Sequence, residues 1–210
     1  YLIAVVISVS LSRGLGGVVM PAKVEAAPTV QKLSKADKQL LEAARMGDID
    51  VVNAALKQGA KINCRDKWSV TPLHYAAAPY WYSKEVGEII YGAENIELVK
   101  LLIESGADVD AIVGPFSGGW CDEEGFTPLH HAAVMGHVGI VKQLLIHGAH
   151  PGIKSKWGNK TPLDLSNEQQ MEECIVLLTQ ATRENLLKER DALQAMRNKG
   201  WGKSSSQKKQ

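Results

Sequence analysis

Neither sign of charge prevails in this chain: 24 lysines and arginines stand against 23 aspartates and glutamates, a formal net charge of +1. A clustered basic surface is what draws a protein onto nucleic acid or an anionic bilayer, so no nucleic-acid partner is expected. Cysteine is scarce. Cys64, Cys121 and Cys174 are odd in number, far apart and without the close pairs that zinc and redox motifs use. They read as packing residues, and no metal site is expected. Catalytic signatures are missing too. The chain shows no nucleophile motif, no phosphate-cradling glycine loop and no paired carboxylates, so neither an enzyme nor a cofactor is expected. No apolar run reaches the roughly 20 residues that cross a bilayer.

What is present is an ordinary balance for a folded protein, 45% hydrophobic and 22% charged residues over a length of 210, which suits one folded unit with tails. The apolar stretch at residues 2–11 is broken only by Ser8 and Ser10 and reads as the core of a signal peptide. Residues 1–26 form this signal-peptide-like segment, with small residues placed for cleavage after Ser12 or Ala26, and residues 27–36 form a linker. Export to the periplasm or the exterior is expected. An uncleaved anchor, the one route to a membrane, is the alternative.

Beyond the linker the chain repeats itself. Thr71-Pro72-Leu73-His74-Tyr75-Ala76-Ala77 recurs as Thr127-Pro128-Leu129-His130-His131-Ala132-Ala133 and, degraded, as Thr161-Pro162-Leu163-Asp164-Leu165. Threonine is a good N-cap and proline suits the first helical position, where no N–H partner is needed, so each Thr-Pro starts a helix. Apolar residues at three- and four-residue steps come next, as in Ile49-Val52-Leu56, Ile96-Val99-Leu102 and Val138-Val141-Leu145. Glycine then closes a second helix in Gly59-Ala60, Gly106-Ala107 and Gly148-Ala149. Ala43 to Ala76 and Ala132 to Leu165 are 33 residues apart, whereas Ile49 to Ile96 is 47 and Ile96 to Val138 is 42. The excess places insertions of 14 and 9 residues near 78–95 and 112–121.

This pattern resembles the ankyrin repeat, whose period is about 33 residues and whose signature is Thr-Pro-Leu-His-x-Ala. The resemblance covers residues 37–181 and implies an all-α solenoid of about four helix-turn-helix repeats, near 37–69, 70–125, 126–159 and 160–181. The first repeat lacks Thr-Pro, and Asp37 is expected as its N-cap. A charged helix over 182–199 is expected to cap the stack, and the polar tail 200–210 to be disordered.

The resemblance implies that His74 and His130 hydrogen-bond within and between repeats, part of a structural motif with Thr71, Pro72, Thr127, Pro128, Thr161 and Pro162. The remaining histidines, His131, His137, His147 and His150, are expected at solvated or cap positions. Aromatic side chains often dominate interfaces, and Trp68 and Trp157 fall in turns, Trp81 and Tyr82 in the first insertion, and Phe116 and Trp120 in the second. These six are the expected partner-binding residues. With the turns projecting as fingers beside a concave helical face, a monomeric, non-catalytic module that binds another protein is expected. The alternative is an accessory subunit that steadies an exported enzyme. Lys61, Arg65 and Lys67 on the first finger would favour an acidic partner, although solvated charge is the plainer reading of all three.

Overall fold

The computed structural model describes residues 32–83, 88–114, 124–156 and 158–198. Eight helices lie among them: α1 (Lys35–Met46), α2 (Ile49–Lys57), α3 (Pro72–Ala77), α4 (Ile96–Glu104), α5 (Pro128–Met135), α6 (Val138–Ile146), α7 (Pro162–Glu168) and α8 (Glu172–Asn198). Two short strands, β1 (Tyr80–Ser83) and β2 (Glu88–Tyr91), stand between α3 and α4. The expected signal segment, linker start and polar tail lie outside the described residues.

Capping chemistry sets where the first helix of each repeat begins. Thr71, Thr127 and Thr161 precede α3, α5 and α7, each with proline at the first helical position. The first repeat starts earlier than expected. Ser34 is its N-cap, accepting from the Asp37 N–H at 3.0 Å, while the Asp37 carboxylate accepts the Ser34 N–H at 2.9 Å. Asp37 is therefore the third residue of a reciprocal capping box and not the cap. Its other oxygen accepts the Lys61 N–H at 2.8 Å, tying the helix start to the first finger. Burial opposes the Asp37 charge, but the bonds from Lys61 and Ser34 outweigh it and hold the carboxyl below its ordinary range.

The second helices stop where glycine can turn left-handed. Gly59, Gly106 and Gly148 have φ of 86°, 91° and 88°, the conformation that closes a helix at little steric cost. The fourth repeat has no such residue after Leu177-Leu178, and α8 runs on for 27 residues. The separate capping helix expected from residue 182 is thus the continuation of the last repeat helix. From Arg183 to Met196 it is exposed except at Asn185, so most of it projects past the stack instead of covering it.

The helices form two layers. The first helices α1, α3, α5 and α7 stack in order, and α4, α6 and α8 stack behind them. Leu40, Leu73, Leu98, Leu102, Leu129, Ile140, Leu144 and Leu178 are fully buried where the layers meet. The first insertion forms an antiparallel hairpin in which Trp81 pairs with Ile90 and Tyr82 with Ile89. It leaves the stack where α3 ends and α4 begins. The chain leaves α4 for the second finger at the opposite helix end, a helix length of about 13 Å away.

Candidate protein-binding surface

The turns joining one repeat to the next, residues 58–71, 105–127 and 147–161, are the fingers. In the first, Asp66 organises the tip. Its Oδ1 accepts the N–H groups of Trp68 at 2.8 Å and Val70 at 2.9 Å, and its Oδ2 accepts the Tyr75 hydroxyl at 2.6 Å. Ser69 and Asn159 hold φ of 61° and 52°, left-handed positions where glycine is the usual residue. The tips keep their turn without it, at a cost of about 1–2 kcal/mol for Ser69, while asparagine tolerates this region.

Backbone and side-chain bonds tie the fingers to each other. Arg65 Nη1 donates to the Ser69 carbonyl at 3.0 Å and to the Ile112 carbonyl of the next finger at 2.7 Å. Arg65 is therefore a clamp between fingers and not the solvated charge expected of it. Asn63 donates to the Gly106 carbonyl at 3.2 Å and accepts the Asp108 N–H at 2.9 Å. The Val113 N–H reaches the Phe126 carbonyl and the Gly125 N–H the Val113 carbonyl, both at 2.9 Å, closing the base of the second finger. The Lys156 N–H then bonds the Glu124 carbonyl at 2.9 Å, and the two side chains form an ion pair. The Cβ of any residue replacing Gly125 would sit 2.7 Å from the Lys156 nitrogen.

Beneath the fingers, His74 and His130 act as clips. Each Nδ1 accepts the N–H of its own threonine, Thr71 at 3.3 Å and Thr127 at 3.0 Å. With Nδ1 accepting, Nε2 carries the hydrogen and donates into the following turn, to the Phe126 carbonyl from His74 and to the Lys160 carbonyl from His130, both at 3.2 Å. Asp164 completes the same box in the last repeat, accepting the Thr161 N–H at 2.9 Å, and those bonds to Thr161 keep its carboxyl below the ordinary range. His131 departs from expectation. It is buried, with its ring edge-on to His74 at 5.3 Å and to Phe126 at 5.6 Å between centroids. Both rings of the doubled histidine in the third repeat are buried because α5 is covered on both sides. Burial pushes His130 and His131 down to about 4 and His74 well below its usual value, with neighbouring His131 adding to the effect on His74. All three are neutral at pH 7. His137 caps α6, its Nδ1 facing the Ala77 carbonyl at 3.0 Å, and His147 and His150 sit in the third finger.

Burial makes Cys64 and Cys174 unreactive, with the thiol of Cys64 pushed up to about 12 by desolvation and the Asp37 charge. No three His, Cys, Asp or Glu residues converge as a metal site among the described residues.

Of the six aromatic residues expected to bind a partner, Trp68 is exposed at the first finger tip, with the Lys67 ammonium 4.1 Å from its ring centroid. Phe116, Trp120 and Trp157 lie outside the described residues, as do the side chains of Trp81 and Tyr82. The first helices of the middle repeats offer less than expected, because residues 72–77 and 128–133 are buried throughout. Sequence reasoning missed the finger braces Asn63, Asp66 and Arg65. Asp66 carried a signal in the Asp-x-x-Ser spacing of a turn, whereas bonds from Asn63 and Arg65 to a turn more than forty residues on left none.

A family profile described as ankyrin repeats (3 copies) matches residues 40–155 and 89–189. The chain belongs to the ankyrin-repeat family. Ankyrin repeats imply a protein-protein interaction module, and the match includes no catalytic domain. Similar ankyrin regions occur in E3 ubiquitin-protein ligase Ufd4 of Drosophila melanogaster, 32% identical over 133 residues or 63% of this chain. Palmitoyltransferase Hip14 of the same fly is 29% identical over 119 residues, 57% of the chain, and human palmitoyltransferase ZDHHC13 is 30% identical over 127, 60% of the chain. The alignments span 4%, 15% and 17% of those proteins' lengths, so the likeness concerns their repeats. Among the described residues of this ankyrin-repeat protein, no helix is long and apolar enough to cross a membrane.

Proposed function

We propose that this ankyrin-repeat chain captures a protein partner along its finger edge, through Trp68 together with Phe116, Trp120 and Trp157, and catalyses nothing itself. The observation that carries this reading is the contrast within the repeats: the first helices of the middle repeats are buried, while the cross-braced fingers expose Trp68 beside Lys67. A rigid edge bearing aromatic side chains loses little entropy when a partner covers it. The hairpin with Trp81 and Tyr82 leaves the stack at the opposite helix end and serves as a second contact. Capture takes place outside the cytosol, a reading supported by the apolar stretch at residues 2–11 and the small residues just after it.

Affinity purification from the source cell with the natural chain and a Trp68→Ala, Trp120→Ala, Trp157→Ala variant tests the surface. One partner is expected to be recovered by the natural chain and depleted at least about tenfold with the variant, at an unchanged melting temperature. Equal recovery would refute the finger edge. Cell fractionation tests the location, and full-length protein confined to the cytosol would refute export.

A further inference from the structure

Beyond the fingers, the free length of α8 presents a second surface. Five of the nine large hydrophobic side chains exposed on the described residues lie on this one helix: Val176, Leu186, Leu187, Leu193 and Met196. Leu186 is 59% exposed and Leu193 67%. Where α8 passes the end of the stack, Leu163, Thr182, Leu186 and Leu187 line a groove of about 380 Å³ between Arg183 and Arg190. Seven-residue steps drift only about 20° around a helix, so Leu186 and Leu193 share one stripe, and Arg183 and Arg190 share a stripe beside it. The free segment, residues 182–198, is about 25 Å long, enough for about four turns of a second helix.

The three acidic residues of this segment do not neutralise that stripe: Glu184 accepts from Gln180 at 3.0 Å. Glu189 is drawn toward the stack, accepting from Asn185 at 2.9 Å and facing His150 at 3.5 Å. Asp191 bonds Arg190 at 2.9 Å, but both groups are exposed, and water and salt screen such a pair. Arg183 has no ion pair among the described residues.

We propose that this groove docks an acidic amphipathic helix of a protein partner, with its apolar stripe on Leu163, Leu186, Leu187 and Leu193 and its carboxylates on Arg183 and Arg190. The surface is separate from the finger edge, and its occupancy does not depend on that reading. Charge selects the occupant. The chain's own tail carries Lys199, Lys203, Lys208 and Lys209 and no acid, so the arginines repel it. A second copy docked antiparallel about a two-fold axis would bring the two arginine stripes together. Residues 182–198 hold four basic and three acidic side chains, too balanced for an anionic bilayer, which draws clusters of about four to eight uncompensated basic residues.

The test uses the full chain and two synthetic helical peptides of about 18 residues, each with leucines at three- and four-residue steps, one flanked by glutamates and the other by lysines. Fluorescence anisotropy is expected to show micromolar binding of the glutamate peptide and none of the lysine peptide. Binding should weaken at least about tenfold in Arg183→Glu with Arg190→Glu, and equally in Leu186→Ala with Leu187→Ala, with unchanged far-UV circular dichroism. All four positions are exposed, so these variants are expected to fold. Four results would overturn the proposal: no binding of the glutamate peptide, equal binding of both peptides, binding indifferent to the arginines, or competition by a second copy. The last would appear as a dimer in sedimentation that Leu186→Ala abolishes. Cosedimentation with vesicles of about 30% phosphatidylserine, lost in the arginine variant, would instead assign the groove to a membrane surface.

Discussion

Lowering the pH from 7.5 to 5 is expected to remove about 4 kcal/mol of stability through His130 and His131 alone. Each ring has a folded value of about 4 against an ordinary 6.5. The unfolded chain therefore binds a proton as the pH falls through 6.5, while the folded chain stays neutral until about 4. Stability is full above pH 6.5 and declines toward pH 4. At pH 5 each histidine contributes a loss of about 2 kcal/mol, since one unit is worth about 1.4 kcal/mol. His74 acts in the same direction, and its proton has no free seat, because Nδ1 already accepts the Thr71 N–H. Against a total of about 5–15 kcal/mol for a domain, this approaches unfolding. Asp37 and Asp164, held below 3.8, lose their contribution only at lower pH, so the histidine window is clean. Urea titrations at pH 7.5, 6 and 5, monitored by circular dichroism, measure the loss and the protons bound on unfolding. His131→Phe, which keeps an aromatic ring beside Phe126, should lower that proton count by one. A free energy that changes by less than about 1 kcal/mol between pH 7.5 and 5 would refute the assignment of these rings as buried and neutral.

Leu129→Ala should cost about 2–5 kcal/mol, because Leu129 is fully buried between neighbours on both sides; a loss below about 1 kcal/mol in urea unfolding would place it outside the core. Gly125→Ala should lower the melting temperature more than Gly59→Ala. Both have positive φ, but only at Gly125 does the new Cβ meet backbone, 2.7 Å from the Lys156 nitrogen; equal effects would mean the second and third fingers do not touch there. Equilibrium dialysis at neutral pH should retain no stoichiometric zinc, since His74 and His130 use both ring nitrogens, and a bound ion tighter than micromolar would contradict that bonding.

The fold was legible because its punctuation is local. Thr-Pro starts and Gly-Ala ends act within one turn of the chain, so spacing alone located the helices and the first insertion's place between α3 and α4. The start of α1 was less legible, because a serine three residues before an aspartate reads as either box or cap until the reciprocal bonds of Ser34 and Asp37 are seen. His131 was misplaced for a related reason: adjacent histidines on a helix differ by about 100° in direction, and only packing on both sides of α5 tells that both rings are covered. Of the aromatics expected at the candidate site, Trp68 is the one whose side chain lies among the described residues, exposed at a finger tip. Its rigidity comes from Arg65, Asn63 and Lys156 bonding to turns that are close in space and distant in sequence, a relation no local pattern encodes.

The two histidine clips also give the array a direction. His74 and His130 each reach forward, to a carbonyl that belongs to the turn leading into the following repeat. A chain cut after the second repeat would take from the Nε2–H of His74 the carbonyl it bonds and from its ring the cover of His131. Removing the first repeat would break no clip. The two ends are therefore not equivalent to truncation, and during synthesis each of these repeats stays incomplete until the next has left the ribosome. The fourth repeat, with Asp164 bonded to its own Thr161 where the clip would stand, makes no such demand on a following turn.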